Sequence, residues 1–190
     1  PEALYGEQLH KAAELYIKDN VPLPPKFAFM EALLVRLNKI PGDKFTEIKL
    51  GIRAEGDTFA PCGFFDKDVW YRGIADLLVV KGSSAWLVDY KTGKNAKYAD
   101  MKQLDLMAGA VFVNYPEVNY IKSALLYVVS HEVPKKVHVR ENMGEYLSVF
   151  DTQLGQLEDA MDNGVFNPKS GPLCGWCPVT DCSHWKPRRK

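Results

Sequence analysis

The sequence predicts an α/β fold in which a central mixed β-sheet is flanked by helices. The first observation behind this prediction is that stretches with helical spacing of apolar residues alternate with short apolar runs of strand length. The second is that two such runs, residues 69–80 and 85–91, are separated only by the turn-forming sequence KGSS, which is typical of an antiparallel hairpin. The resulting order of helix, three strands, helix, strand and helix favours a mixed sheet with helices on its faces.

The N-terminal part of the chain contains two predicted helices and one strand. Residues 4–20 have apolar side chains at helical spacing, and three nearby prolines prevent the helix from continuing. A second helix is predicted at 26–39, ended by PGD, and a strand at 45–53. The segment that leads on to residue 69 is expected to be a loop because it contains Gly56, Pro61, Cys62 and Gly63.

The remaining elements are a helix at 96–114, a strand at 120–129 and a helix at 143–163. The last residues differ in composition because three cysteines fall close together there. We therefore expect a main domain of residues 1–167 and a cysteine-rich tail, residues 168–190, that packs on the same domain.

The charge balance gives no sign of a nucleic-acid or membrane partner by itself. Lysine plus arginine and aspartate plus glutamate both number 24 in the 190 residues, so any anionic partner must be bound by a local patch. No apolar run approaches the roughly 20 residues that span a bilayer, and the N-terminus lacks the regions of a signal peptide. We expect a soluble protein inside the cell, in the cytoplasm, without a membrane partner.

The predicted hairpin brings two carboxylates together. If its turn is centred between Gly82 and Ser83, residues whose numbers sum to 165 lie opposite each other, and Asp76 faces Asp89. Like charges at that distance repel, and burial adds a desolvation penalty. A divalent cation between the carboxylates removes both problems, so the sequence predicts a metal site here.

Strand alternation adds a lysine to this pair. Lys91 lies on the same face as Asp89, whereas Tyr90 points to the other face. Two aspartates and a lysine are expected for metal-assisted hydrolysis of a phosphate ester. The alternative is structural: Asp76 and Lys91 form an internal salt bridge, and Asp89 is solvated at the strand end.

Together with a helical histidine and a glutamine, these residues resemble the PD-(D/E)XK nuclease superfamily. They look most like its RecB-like branch, which includes helicase-nuclease subunits, CRISPR adaptation nucleases and phage exonucleases. GEQLHKAAE at 6–14 is similar to the branch's G-x-x-x-H-x-x-x-E motif, GIAD at 73–76 to its G-x-x-D, and DYK at 89–91 to its (D/E)-x-K. Gln103 resembles the glutamine of Q-x-x-x-Y, although Met107 stands at the tyrosine position. Tyr98 is a candidate substitute for that tyrosine.

The resemblance implies a restriction-endonuclease-like core in α-βββ-α-β order and a set of roles. His10, Asp76, Asp89 and the backbone carbonyl of Tyr90 would hold Mg²⁺ or Mn²⁺. Catalysis would rest on the two aspartates together with two further residues, Lys91 and Gln103. The lysine would position the attacking water, and the glutamine would place the lysine or the nucleic-acid strand. His10 depends on the resemblance alone, whereas the hairpin register supports the aspartates independently.

The tail has the C-x₂-C-x₄-C-x-H spacing of a metal-binding segment, formed by Cys174, Cys177, Cys182 and His184. Relatives of the RecB-like branch have similar tails, in which three cysteines and one upstream cysteine hold a [4Fe-4S] cluster. The fourth ligand is Cys62, a cysteine in a segment that precedes Pro1, or His184 at a Zn²⁺ site. Free thiols are the alternative without a metal. The final residues, KPRRK, either contact phosphates or form a solubilising tail.

The sequence therefore predicts a metal-dependent deoxyribonuclease that hydrolyses phosphodiester bonds, as an exonuclease on DNA ends or single-stranded DNA. Recombination, repair or phage DNA processing is the expected setting, with a helicase or recombination protein as partner. One alternative is a non-catalytic nucleic-acid-binding or assembly module that retains the fold. Another is an enzyme that hydrolyses small phosphoesters.

Overall fold

A computed structural model describes residues 2–186, which form two compact units, residues 2–149 and residues 150–186. The α-helices are α1 (Glu2–Asp19), α2 (Glu31–Asn38), α3 (Lys102–Asn114), α4 (Met143–Leu147) and α5 (Asp151–Asn163). The strands are β1 (Asp43–Glu55), β2 (Thr58–Cys62), β3 (Tyr71–Lys81), β4 (Ser84–Lys91), β5 (Tyr120–Tyr127) and β6 (Lys135–Val139). Short 3₁₀ helices occupy Pro25–Met30, Arg140–Asn142 and Pro172–Trp176. The predicted boundary between residues 167 and 168 falls inside the second unit, and the packing of the tail stays a prediction.

The strands of the first unit form one six-stranded sheet in the order β2-β1-β3-β4-β5-β6. β4 and β5 are parallel, and the other neighbouring pairs are antiparallel. The chain crosses from β4 to β5 through α3, as a parallel connection requires. The predicted mixed sheet flanked by helices is therefore confirmed.

The two edge strands of the sheet were not predicted from the sequence. β2 lies in the segment predicted as a loop, and its Pro61 lies on the outer strand of the sheet, where a proline is tolerated. β6, with the sequence KKVHV, forms the opposite edge and is too polar to show as an apolar run. Both edges are short, which limits unwanted pairing with other chains.

Three predicted helices have different bounds in the structure. The one predicted at 26–39 begins as the 3₁₀ helix Pro25–Met30, and α2 starts only at Glu31. α3 begins at Lys102 rather than at residue 96, because side chains of the preceding segment bind its backbone: Asn95 accepts from the amide of Lys97, and Asp100 from that of Lys102. The predicted helix at 143–163 is two helices, α4 and α5. Ser148 follows α4, and its hydroxyl donates to the carbonyl of Glu145.

The apolar core of the first unit has a layer on each face of the sheet. The layer on the α3 face includes Leu78, Leu104, Phe112 and Ile121. The layer on the α1 face includes Leu9, Phe27, Leu34, Leu77 and Val79. No helix among residues 2–186 is long and apolar enough to cross a membrane.

In both β1 and β3, the regular alternation of side chains between the two faces of the sheet is interrupted at one position. On β3, Ala75 and Leu78 both belong to the α3 face, although residues three apart on a regular strand point to opposite faces. Their partners on β1 show the same pattern. Between them the ladder skips Glu47 and Asp76, and Glu47 has a φ of 49°. This shared irregularity lets two acidic side chains leave the normal pleat of the sheet.

Candidate active site

The candidate site lies where the central sheet splits between β3 and β4. Pairing of these strands runs from the turn as far as Leu77 with Val88 and ends there. The predicted register, in which paired residue numbers sum to 165, is confirmed. The turn is a two-residue loop, and its Gly82 has a φ of 54°, a conformation that favours glycine. Asp76 and Asp89 follow immediately after the last pair, so the ladder does not tie them together.

Asp76 is a buried carboxylate with partners on two elements. Its Oδ1 lies 3.1 Å from Nδ1 of His10 on α1, and its Oδ2 accepts a hydrogen bond of 2.5 Å from the backbone amide of Tyr90 on β4. The hydrogen bond to Asp76 and its negative charge raise the pKa of His10 above the ordinary value, although burial acts in the opposite direction. His10, which the family resemblance alone had implicated, therefore lies against Asp76.

Glu47 is a site residue that the sequence analysis did not identify. Its Oε1 lies 4.0 Å from Nδ1 of His10, and the half-buried side chain lines a cleft of about 460 Å³ together with the histidine. Burial, and then the charge of Asp76, raise the pKa of Glu47. The register of β1 with β3 sets Glu47 opposite Asp76. That register was hidden in the sequence by the long segment between the two strands. Glu14, at the same cleft, pairs instead with Lys11 at 2.7 Å.

Asp89 and Lys91 form an ion pair on the α3 side of the split. Nζ of Lys91 lies 2.8 Å from Oδ2 of Asp89, without the angle of a hydrogen bond, so this buried oxygen has no hydrogen-bond donor among the described residues. Burial and the nearby charge of Asp76 raise the pKa of Asp89. Lys91 also donates to Oε1 of Gln103 at 3.1 Å. The alternative salt bridge between Asp76 and Lys91 is wrong, because the lysine pairs with Asp89.

A second, smaller cavity of about 140 Å³ lies beside Asp89. It is lined partly by Tyr71, Gln103 and Met107. Burial, followed by the charge of Asp89, raises the pKa of Tyr71 to about 12, so its hydroxyl keeps its proton at neutral pH. Tyr98, the candidate substitute from the sequence, is 84% exposed and does not line this cavity. Tyr71, rather than Tyr98, is therefore the tyrosine that lines this cavity. It was not predicted because it lies 32 positions from Gln103 in the sequence.

The donor atoms at the split fit a divalent cation. One ligand atom from each of His10, Glu47 and Asp76 lies within 4.8 Å of the others. Carboxylate oxygens suit Mg²⁺ and Mn²⁺, and an imidazole in the set favours Mn²⁺, because Mg²⁺ is usually held by oxygen atoms. A cation would also offset the burial and the charge of Asp76 that together raise the pKa of Asp89. The role of the Tyr90 carbonyl as a ligand stays a prediction.

The cysteine tail belongs to the second unit and is described separately. Cys174 lies in the 3₁₀ helix, and its Sγ accepts a hydrogen bond of 3.2 Å from the amide of Gly171. Cys174 and His184 line one open cavity. Within residues 2–186, the thiols of Cys174, Cys177 and Cys182 are free and do not meet in a group with metal-site distances. The tail metal stays a prediction, as does its fourth ligand, Cys62 or His184. Residues 187–190 of the basic KPRRK segment lie outside the described residues.

Comparisons with known proteins identify a family. A model of the PD-(D/E)XK nuclease superfamily matches residues 7–182. No curated protein matches the chain. Among solved structures, SSO0001 has a TM-score of 0.44 and 13% identity over 96% of this chain and 70% of its own. A protein of Eubacterium rectale named "Putative exonuclease" has a TM-score of 0.45 and 16% identity, over 99% of this chain and 75% of its own.

Proposed function

The chain belongs to the PD-(D/E)XK nuclease superfamily, and we propose that it is a divalent-metal-dependent DNA nuclease that hydrolyses phosphodiester bonds. One observation carries the proposal: His10, Glu47 and Asp76 bring their ligand atoms within 4.8 Å of one another, and the neighbouring strand β4 carries the half-buried Asp89, ion-paired with Lys91. A group of acids in an otherwise apolar sheet destabilises the fold unless a cation neutralises it. The arrangement is therefore better suited to chemistry than to stability.

In this proposal the cation is Mg²⁺ or Mn²⁺, and its ligands come from four elements. They are His10 on α1, Glu47 on β1, Asp76 on β3 and Asp89 on β4, with the Tyr90 carbonyl as a further ligand. When bound, the ion withdraws charge from the phosphate and makes water easier to deprotonate. Asp76 has a second task in the same site, since its hydrogen bond from the amide of Tyr90 fixes the two strands relative to each other.

Lys91 is proposed to orient the attacking water and to offset the negative charge that develops on the phosphate. Its ammonium is held from two sides, by Asp89 and by Oε1 of Gln103. Fixing a lysine before the substrate arrives removes part of the entropic cost of ordering it in the transition state. Gln103 therefore acts through Lys91, as a positioning residue.

We further propose that the enzyme belongs to the RecB-like branch and acts as an exonuclease on DNA ends or single strands. The GEQLHKAAE, GIAD and DYK segments, which contain His10, Asp76, Asp89 and Lys91, support this branch. Recombination, repair or phage DNA processing inside the cell is the proposed setting, with a helicase or recombination protein as a partner.

For the second unit we propose a structural metal at Cys174, Cys177 and Cys182, as a [4Fe-4S] cluster or a Zn²⁺ site. The C-x₂-C-x₄-C-x-H spacing supports it. Anaerobically purified protein distinguishes the forms: broad visible absorbance with bound iron and sulfide identifies the cluster, and bound zinc without colour identifies the other form. Colourless protein free of both metals contradicts this part of the proposal.

Cleavage of oligonucleotides labelled at either end tests the main proposal. The assay compares Mg²⁺, Mn²⁺ and EDTA for the unchanged protein and for Asp89→Asn and Lys91→Ala. The matched control is Asp57→Asn, at an exposed turn residue between β1 and β2. We expect cleavage only with metal, lost in both site variants and kept in the control. Equal cleavage by all proteins would sink the assignment.

The same samples separate the two alternatives. DNA binding that no divalent ion converts to cleavage would favour a non-catalytic module. Release of phosphate from free nucleotides, without cleavage of oligonucleotides, would favour a small-phosphoester hydrolase. Either result contradicts the nuclease proposal.

A further inference from the structure

A cationic and aromatic surface lies on the first unit beside the candidate site. It consists of Lys49 on β1, Phe64 and Phe65 in the segment after β2, and Arg72 and Ile74 on β3, and we call it the cation–aromatic patch. Phe65 is 77% exposed and Ile74 is 41% exposed, although most large apolar side chains of the sheet are buried. An exposed phenylalanine is explained if its ring face meets a ligand.

The patch continues the two strands that carry Glu47 and Asp76. Lys49 follows Glu47 by two residues, Ile74 precedes Asp76 by two, and Lys49 and Ile74 are paired across the ladder. Residues two apart on a strand are about 7 Å apart along its axis. Ile48 and Ala75, which lie between them, pack on the α3 side, whereas Glu47 and Asp76 both lie against His10 on α1, so the patch and these two carboxylates lie on the α1 side of the sheet. A substrate strand whose phosphate lies at Glu47 and Asp76 therefore meets the patch a short distance away, about one or two residues further along β1 and β3.

The contacts within the patch arrange two cations around two rings. Nζ of Lys49 lies 5.6 Å from the ring centre of Phe64 and 5.5 Å from that of Phe65. The guanidinium of Arg72 lies 5.8 Å from the Phe64 ring. The rings meet edge to face, with centres 5.0 Å apart. These contacts hold the rings and the cations in place before a ligand binds.

The positive charge of the patch is not neutralised by its surroundings. Among residues 2–186, neither Lys49 nor Arg72 has a carboxylate within 4.0 Å. The two acids of the neighbouring loop are turned to other partners: Asp66 accepts from the amide of Gly63 at 2.7 Å, and Asp68 lies 3.9 Å from Arg53. The free cations are therefore available to an anionic ligand.

We propose that the cation–aromatic patch binds the stretch of single-stranded DNA next to the scissile phosphate. Lys49 and Arg72 contact phosphates, and Phe65 stacks on a base. Base faces are open in a single strand and closed in a duplex, so an exposed ring specifies the single-stranded form. The inference rests on the proposed nuclease function and deepens it, because it assigns strand preference to residues outside the metal site.

Binding of a fluorescent oligonucleotide, measured by anisotropy in EDTA, tests the patch without catalysis. Phe65→Leu removes the aromatic face and keeps the apolar bulk, whereas Phe65→Trp keeps a stacking face. We expect Phe65→Leu to raise the Kd for single-stranded DNA roughly tenfold and Phe65→Trp to leave it nearly unchanged. A duplex of the same length should bind both variants equally. Equal loss for single strand and duplex would overturn the single-strand assignment.

The cations are tested by the salt dependence of the same binding. The logarithm of the binding constant falls linearly as the logarithm of the salt concentration rises. Lys49→Ala should make this fall less steep by about 0.7, the change for one lost phosphate contact on a single strand. The matched control is Lys122→Ala, since Lys122 also lies near a ring, that of Tyr120 at 5.9 Å, but on β5 beyond β4. An unchanged slope in Lys49→Ala, or the same change in the control, contradicts the proposal.

A small diester distinguishes failure of the patch from failure of the nuclease proposal. Bis(p-nitrophenyl) phosphate occupies only the reacting position, so Phe65→Leu and Lys49→Ala should hydrolyse it at the unchanged rate with Mn²⁺. If the diester is hydrolysed and both variants bind single-stranded DNA normally, the patch proposal is wrong and the nuclease proposal stands. If no diester is hydrolysed but Phe65→Leu still loses single-strand binding, the patch stands without the nuclease. Phe65-dependent binding of anionic lipid vesicles, with none for DNA, would also overturn it.

Discussion

Glu47 on β1 and Asp76 on β3 face each other at the one position where the hydrogen-bonded pairing of these two strands is interrupted. Burial, and then the charge of Asp76, raise the pKa of Glu47. The irregular backbone therefore holds two acids together where a regular pair of strands would be more stable. Such a local cost is expected at a functional site.

Replacing Glu47 should weaken metal binding. Glu47→Gln keeps the shape of the side chain and removes its charge, so we expect the Kd for Mn²⁺ to rise about 10-fold or more, as for other residues that support a metal site. Titration calorimetry of the metal-free protein with Mn²⁺ gives this value without an activity assay. Glu14→Gln is the control, since Glu14 lines the same cleft but pairs with Lys11. Unchanged Mn²⁺ affinity in Glu47→Gln removes Glu47 from the site.

Replacing Asp89 should stabilise the metal-free protein while it abolishes activity. Burial and the charge of Asp76 raise the pKa of Asp89, so its charged form is disfavoured in the folded state. The ionised carboxylate therefore lowers the stability of the fold at pH values above that pKa. Asp89→Asn removes this penalty. We expect Tm in EDTA to rise by about 2–4 °C, the shift that corresponds to about 1 kcal/mol in a chain of this size. Calorimetry with and without Mn²⁺ should also show a smaller metal-induced rise of Tm in the variant. A lower Tm in EDTA contradicts the repulsion.

Removing the glutamine that holds Lys91 should slow the reaction without weakening substrate binding. Gln103→Leu deletes the acceptor of the 3.1 Å hydrogen bond, so we expect kcat to fall about 10-fold with little change in KM. Steady-state kinetics on a single-stranded oligonucleotide provide the test. Gln8→Leu is a suitable control because Gln8 also accepts a hydrogen bond from a lysine, Lys26, at an exposed position. A rise of KM alone would mean that Gln103 contacts the substrate instead.

The buried His138 should make the fold less stable in acid. Its Nε2 lies 2.8 Å from Oδ1 of Asp105, which also pairs with Lys136, and its Nδ1 lies 3.3 Å from the hydroxyl of Ser123. Burial lowers the pKa of His138 below 6.5, although Asp105 opposes the shift. The neutral ring is thus favoured in the folded state. Its contribution to the free energy of unfolding is present above pH 6.5 and is lost as the pH falls below that value.

Urea unfolding at pH 7.5 and pH 5.5 tests this sign. The unchanged protein should lose more stability between these pH values than His138→Gln, because the variant has no proton to bind at that position. At pH 7.5 the substitution itself should cost about 1–3 kcal/mol, since it disturbs a buried hydrogen bond to Asp105. His10, whose pKa is raised, titrates with the opposite sign in both proteins and cancels in the comparison. An equal loss in both proteins contradicts the prediction.

The central fold could be read from the sequence because its signals are local. The hairpin register followed from one short turn and two apolar runs, and the structure has that register up to Leu77 with Val88. The relation of Lys91 to Asp89 followed from alternation on a single strand. β2 escaped detection because its proline is acceptable only at a sheet edge, and the position of an edge depends on the whole sheet.

The parts of the site that could not be predicted depend on long-range pairing. Glu47 lies 29 residues before Asp76, and only the assembled register of β1 with β3 brings them together. Tyr71 reaches the cavity of Gln103 and Met107 because α3 packs over the first residues of β3, where a Cβ at Gly73 would lie 2.6 Å from Met107 Cε. His10 could be assigned through family resemblance, since a single histidine on a helix carries no signal of its own.

The split between β3 and β4 divides the sheet into two hydrogen-bonded leaves that share a hinge at the tight turn. One leaf is β2, β1 and β3, the other is β4, β5 and β6, and five residue pairs next to Gly82 join them. The carboxylates lie at the open side of this hinge, Asp76 on one leaf and Asp89 on the other. A cation bound by both carboxylates would link the two leaves, so amide hydrogen exchange near the split should slow when Mn²⁺ is added. The hydrogen bond from the amide of Tyr90 to Asp76 already joins the two leaves here, so the cation would add a second link at the same place.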